Sequence, residues 1–115
     1  MKKIIITGGC GFIGSHIVEQ FIDKNYEITV VDLWQSPEIR ELSKDKKNLK
    51  FEKLDVNDYA KLEKLISNNE YFIHLAAILG TSETITTYDI EDVVKTNILG
   101  TTKILKMTKK YNYKL

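Results

Sequence analysis

The chain has 115 residues, 43% hydrophobic and 29% charged, and its 17 Lys and Arg against 16 Asp and Glu leave a formal net charge of +1. That length suits one compact domain with a buried core, and the near-balanced charge excludes the electrostatic footprint of a nucleic-acid or anionic-membrane binder. One cysteine excludes an internal disulfide and suits a reducing compartment, and the isoleucine run after Met1-Lys2-Lys3 stops at Thr7-Gly8, too short for a signal peptide or a membrane span. A cytoplasmic protein with no membrane or nucleic-acid partner is expected.

An apolar first strand is predicted at 2–7, reading almost without polar interruption as a central parallel strand should. It runs into Gly8-Gly9-Cys10-Gly11-Phe12-Ile13-Gly14, and a helix follows over 12–24 with Ile13, Ile17, Val18, Phe21 and Ile22 on one face and Asn25 ending it. The second strand, 27–32, ends on Asp32. Pro37, the sole proline, suits the first position of a short helix over 36–43. A third strand covers 49–54 with Asp55 at its end, and a helix over 59–66 is capped by Asn57 or Asp58. The fourth strand, 70–75, leads into Ala76-Ala77. Residues 78–87, rich in Thr and Ser, read as a loop, and a long helix covers 88–110 with a buried stripe of Ile90, Val94, Ile98, Thr101, Leu105 and Thr108.

Strands alternating with helices imply an α/β fold: a doubly wound parallel sheet of four strands, a Rossmann-type half in the order 3-2-1-4 with helices on both faces. In that setting the glycine cluster is a phosphate-binding element, because it delivers a helix N-terminus with unpaired N–H groups to one point. Two registers fit, Gly9-x-Gly11-x-x-Gly14 and Gly8-x-x-Gly11-x-x-Gly14; Gly11 and Gly14 serve in both. Asp32 stands at the distance expected of a carboxylate that accepts hydrogen bonds from a ribose, which makes the ligand a dinucleotide. A triphosphate-binding loop is set aside because Ser15 stands where its lysine is required.

These residues resemble the extended short-chain dehydrogenase/reductase family, in particular its NAD-dependent nucleotide-sugar epimerases and dehydratases. The stretch Thr7-Gly8-Gly9-Cys10-Gly11-Phe12-Ile13-Gly14-Ser15-His16 is similar to the family opening, and Val31-Asp32-Leu33, Leu54-Asp55-Val56, His74-Leu75-Ala76-Ala77 and Thr96-Asn97-Ile98-Leu99-Gly100-Thr101 are similar to four later blocks in the same order. The resemblance spans the chain but only the opening half of the family's dinucleotide-binding domain. It implies NAD as cofactor, with Gly8, Gly11, Phe12, Ile13 and Gly14 at the diphosphate and Asp32 and Leu33 at the adenosine ribose. The Asp32 charge would repel the 2′-phosphate of NADP.

The resemblance also implies that Asp55 and Val56 meet the adenine, that Leu75, Ala76 and Ala77 let the cofactor pass over the fourth strand, and that Asn97 lies near it. Helix capping competes for Asp55, and a buried amide holding a loop competes for Asn97. Thr81 and Ser82 fall in the loop that approaches the substrate in the family. His74 reads as a packed strand residue, Cys10 as a small filler, and no set of residues has metal-ligand spacing.

The family reaction needs a tyrosine with a lysine four positions later, and none of the six tyrosines here has one. The expectation is therefore the NAD-binding portion of such an enzyme, inactive alone, meeting a nucleotide sugar only in a longer form. A non-catalytic NAD-binding regulatory module and a subunit that completes its sheet on another chain are the alternatives. Without a fifth strand, the edge of strand 71–75 is expected to lie bare, so that it or helix 88–110 offers a pairing surface.

Overall fold

The computed structural model describes residues 1–78 and 82–115. Four parallel strands, β1 (Lys2–Thr7), β2 (Tyr26–Asp32), β3 (Leu49–Lys53) and β4 (Tyr71–His74), form one sheet in the order β3-β2-β1-β4, as expected. Ile6 pairs with Val30 on one side and Ile73 on the other, so β1 is central. Alternation along the strands feeds two cores. Ile4, Ile6, Ile28 and Val30 pack with Val18 and Ile22 near α1 (Phe12–Phe21) and with Ile39 of α2 (Pro37–Asp45). Ile5, Val31 and Phe72 point the other way, onto Leu62 and Ile66 of α3 (Tyr59–Ile66) and Ile104 of the last helix.

Local chemistry sets the ends of these elements. The α1 helix stops at Phe21, three residues earlier than the apolar spacing predicts, because the chain unwinds toward Asn25, whose φ is 61°. The Asn48 side chain donates to the carbonyls of Ile22, just past the helix, and Tyr26, the first residue of β2, both at 2.9 Å, and so ties the two ends of the unwound turn together. Ser36 caps α2 by accepting from the Ile39 N–H at 3.3 Å, with Pro37 at the first position. Asp58, not Asn57, caps α3 by accepting from Lys61.

The second half departs from expectation in three places. Part of the predicted 78–87 loop is a short helix, α4 (Ser82–Thr87); Thr86 Oγ1 donates to the Ser82 carbonyl, so a side-chain hydroxyl that favours turns is compatible with a helix here. The predicted long helix is α5 (Ile90–Val94), a π-helical segment (Lys95–Gly100) and α6 (Thr101–Tyr111). Its buried stripe is also not the one predicted. Ile90, Val94, Ile98 and Leu105 are exposed, whereas Gly100 and Ile104 are buried, with Asn97, Thr101, Met107, Thr108 and Tyr111 half-buried beside them. Both faces of this helix carry apolar residues, so periodicity alone cannot choose between them. Ile104 is the residue that reaches the core of Ile5, Leu62, Ile66 and Phe72.

The outer edge of β4 is not wholly bare. Lys114 N–H donates to the Glu70 carbonyl at 2.9 Å and its own carbonyl accepts from Phe72 N–H at 2.8 Å, a parallel bridge that leaves the edge open only beyond Phe72 among the described residues. Tyr113 anchors this tail: its ring lies 5.5 Å from that of Phe72 and its hydroxyl donates to the Ile104 carbonyl. Lys110 and Tyr111 both bond Glu63 of α3, which holds that carboxyl below the usual carboxylate range.

Two measurements check this packing. Ile104→Ala should cost about 2–5 kcal/mol in denaturant unfolding, and Leu105→Ala no more than about 0.5 kcal/mol; the reverse order would restore the predicted stripe. Burial pushes the Tyr113 phenol up to about 12 from 10.0, so the stabilisation of its neutral form is complete below pH 10 and fades as pH rises toward 12. Tyr113→Phe should be less stable at neutral pH by about 1 kcal/mol, with a shallower alkaline decline than the parent chain in thermal melts.

Candidate functional site

The carboxyl ends of β1, β2 and β4 open onto a cleft of about 700 Å³, within the range of small-molecule sites. Its position follows from the strand order. The chain passes from β1 to β2 on one side, and the sheet resumes at β4 on the other, so the connections diverge above β1 and leave a crevice.

The glycine turn forms the near wall. Gly8 has φ +68°, and a Cβ there would come within 2.9 Å of Ala76 N, so only glycine suits both the backbone and its neighbour. A Cβ on Gly14 would overlap the Gly8 carbonyl oxygen and stand 2.7 Å from Gly9 Cα; its absence lets α1 start directly against the strand end. Between them Gly11 faces open space apart from Gly8 O at 3.3 Å. Gly9 packs on Val30 and does not line the cleft, so the Gly8-Gly11-Gly14 register is the one that faces it. Gly11 caps α1 without a side-chain bond, and Ser15 N–H makes the first helical bond to Gly11 O at 2.9 Å. The N–H groups of Phe12, Ile13 and Gly14 thus lack helical acceptors at the cleft, and the first turn carries no acidic residue to compete for an anion.

Asp32 ends β2 across from this turn. Its Oδ2 accepts from Cys10 N–H at 3.0 Å and its Oδ1 from Leu33 N–H at 2.8 Å, so the carboxylate is held rigid while each oxygen keeps a further lone pair. Asp55 accepts from Asn57 N–H at 2.9 Å and closes the turn ahead of α3, yet it stays exposed on the cleft, so its structural role leaves its other oxygen free. Val56 is buried, and its N–H meets no acceptor among the described residues. Leu75, Ala76 and Ala77 form the far wall.

The structure therefore gathers Gly8, Gly11, Phe12, Ile13, Gly14, Asp32, Leu33, Asp55, Val56, Leu75, Ala76 and Ala77 around one cleft. Asn97 stands behind it: its amide brackets Ile78, accepting from Ile78 N–H and donating to Ile78 O, both at 2.7 Å. Ser82 opens α4 and does not line the cleft, and Thr81 lies outside the described residues. Sequence reasoning missed Trp34 and Thr96. Trp34, 59% exposed, is a lone tryptophan two residues beyond the strand-ending acid, a visible signal; Thr96 accepts from the Asn57 side chain at 2.9 Å and ties the α3 approach to the π segment, which no local pattern announces.

Burial pushes the Cys10 thiol up, which disfavours its thiolate form. Among the described residues no cluster of His, Cys, Asp or Glu can hold a metal ion, and no helix is long and apolar enough to cross a membrane.

Comparison with known proteins agrees with this geometry. Residues 5–114 match the family described as 3-beta hydroxysteroid dehydrogenase/isomerase. The chain is 32% identical to a UDP-N-acetyl-alpha-D-glucosaminuronate decarboxylase of Bacillus cytotoxicus over 91% of its own length and 32% of that protein. Among solved structures it resembles the UDP-N-acetylglucosamine 4-epimerase of Methanobrevibacter ruminantium in complex with UDP-N-acetylmuramic acid, with TM-score 0.80 and 33% identity over 97% of this chain and 35% of that one. It likewise resembles the UDP-glucose 4-epimerase of Bifidobacterium longum in complex with NAD+ and UDP, with TM-score 0.79 and 26% identity over 96% and 34%. The chain spans about a third of the length of these relatives. It belongs to the 3-beta hydroxysteroid dehydrogenase/isomerase family of extended short-chain dehydrogenases/reductases, and corresponds to the N-terminal portion of their NAD-dependent epimerases and dehydratases.

Proposed function

We propose that the chain is the NAD-binding portion of a nucleotide-sugar epimerase or dehydratase that acts only with the remainder of the enzyme, on the same chain or a partner. The observation that carries this is the convergence on one cleft of a helix N-terminus with free N–H groups, the tethered carboxylate of Asp32 and the unpaired N–H of Val56. Relatives of similar fold hold NAD, as the Bifidobacterium longum complex does.

In this reading the N–H groups of Phe12, Ile13 and Gly14 donate to the diphosphate, and Gly11 leaves room for it. Asp32 accepts from the ribose hydroxyls; its charge and the two main-chain bonds that fix it disfavour a 2′-phosphate. Val56 N–H donates to an adenine ring nitrogen while Asp55 accepts from the exocyclic amine. Ala76 and Ala77 keep the far wall shallow. The nicotinamide supplies hydride transfer, and the proton transfer that must accompany it falls to groups outside this sequence, since no tyrosine here is followed four residues later by lysine. The open edge of β4 beyond Phe72 and the exposed Ile90, Val94, Ile98 and Leu105 are where the remaining part of the enzyme would pack.

Calorimetric titration with NAD tests the reading directly: saturable one-to-one binding is expected, and its absence would overturn it. Asp32→Ala should weaken NAD about 10- to 100-fold, the worth of hydrogen bonds to a charged group, and narrow the preference over NADP. Adding a downstream segment that supplies Tyr-x-x-x-Lys should produce turnover of a UDP sugar, followed by loss of substrate on chromatography, while the chain alone gives none.

A further inference from the structure

Behind the far wall of the cleft, a chain of hydrogen bonds links three strand and helix ends, and its direction can be read from donor counts. Thr7 Oγ1 accepts from the Ala76 N–H at 3.2 Å and from the Leu75 N–H at 3.1 Å, the latter shared with the Thr7 carbonyl at 3.2 Å, so the hydroxyl oxygen already faces two amide donors. Its own proton must then go to His74 Nδ1, 2.7 Å away. With Nδ1 an acceptor, the neutral ring carries its proton on Nε2 and donates to Thr101 Oγ1 at 3.3 Å. Thr101 in turn donates to the Asn97 carbonyl at 2.8 Å, and the Asn97 side chain brackets Ile78 with two bonds of 2.7 Å. The series starts at one end of residues 75–78 and closes on the other.

Resting on the NAD-binding reading above, we propose that His74 is a positioning residue: with Thr7 and Thr101 it forms a directed relay that holds residues 75–78 as the far wall of the dinucleotide cleft, and it does so only as the neutral Nε2–H tautomer. The π-helical segment is part of the device, because it carries Asn97 and delivers Thr101 to the ring one step later.

Protonation breaks the relay at its first link. A proton on Nδ1 would face a Thr7 oxygen on which two amide N–H groups already converge, one of them shared with the Thr7 carbonyl. The groups facing the ring are Thr7 from β1, Thr101 from α6 and, on its own strand, the Phe72 ring at 6.1 Å, none of which brings a charge to offset an imidazolium. Burial accordingly holds the His74 pKa below its ordinary value of 6.5, so the wall is intact at neutral pH and loosens only as the pH falls through that lowered pKa.

The test uses the whole chain, labelled with ¹⁵N. Imidazole nitrogen shifts should report the Nε2–H tautomer for His74 at neutral pH; an Nδ1–H tautomer would overturn the relay. Thr101→Val, which keeps shape and removes the hydroxyl, should speed amide hydrogen exchange at Ile78 and weaken NAD about three- to tenfold, and Thr101→Ser should restore both. Lowering the pH until the imidazole nitrogen shifts show His74 protonated should weaken NAD in the parent chain and have a smaller effect in Thr101→Val, where the link is already cut. Unchanged Ile78 exchange in Thr101→Val would also overturn the relay. If no variant, the parent included, binds NAD, the functional reading fails, while the tautomer and the Ile78 exchange still decide the relay.

Discussion

Everything in this chain depends on how closely α1 approaches the end of β1. The Gly8 carbonyl occupies the space a side chain on Gly14 would need, and Gly8 can turn the chain only by adopting φ +68°. That contact fixes where the helix begins, and therefore where its unpaired N–H groups point. It also sets Gly8 against Ala76, so the turn and the far wall are built on one another rather than placed independently.

The same economy runs through the rest of the cleft, where single groups serve as both frame and contact. Asp32 braces the turn through Cys10 N–H and its own strand exit through Leu33 N–H, which immobilises the carboxylate before any ligand arrives. Asp55 closes the turn before α3 and still presents an oxygen to solvent. A carboxylate already ordered by main-chain donors gives up little conformational freedom on binding, so more of each new hydrogen bond appears as affinity.

Much of this was legible in the sequence because it is encoded by neighbours. Ile4-Ile5-Ile6 ahead of a glycine cluster, Pro37 behind Ser36 and Asp58 ahead of an amphipathic run each specify structure within a few residues, and the strand order followed from their alternation. What was illegible depends on distant parts of the chain. The phase of the last helix was misread because Ile104 and Leu105 are equally apolar, and the choice between them depends on a core built from Ile5, Leu62, Ile66 and Phe72 far away in the chain. The edge of β4 was expected bare because nothing in Tyr113-Lys114 by itself announces a bond to Glu70 and Phe72. Asn97 was read either as lying near the cofactor or as a buried amide holding a loop, and its two bonds to Ile78 are those of the second reading; only the π turn that carries it had no residue signal.

These two kinds of information correspond to two tasks. Contacts to a diphosphate or a ribose need main-chain donors and one fixed acid at strand ends, and short motifs can encode them because the backbone supplies most of the groups. Hydride chemistry demands more: a proton acceptor of tuned pKa within hydrogen-bond reach of a sugar hydroxyl, held at a set distance from the nicotinamide. That arrangement must be assembled from segments far apart in sequence, which short motifs do not encode. The groups assigned to binding stand at the first turn of α1 and at or just past the ends of β1, β2, β3 and β4, so the fold of these four strands is enough to bring them together.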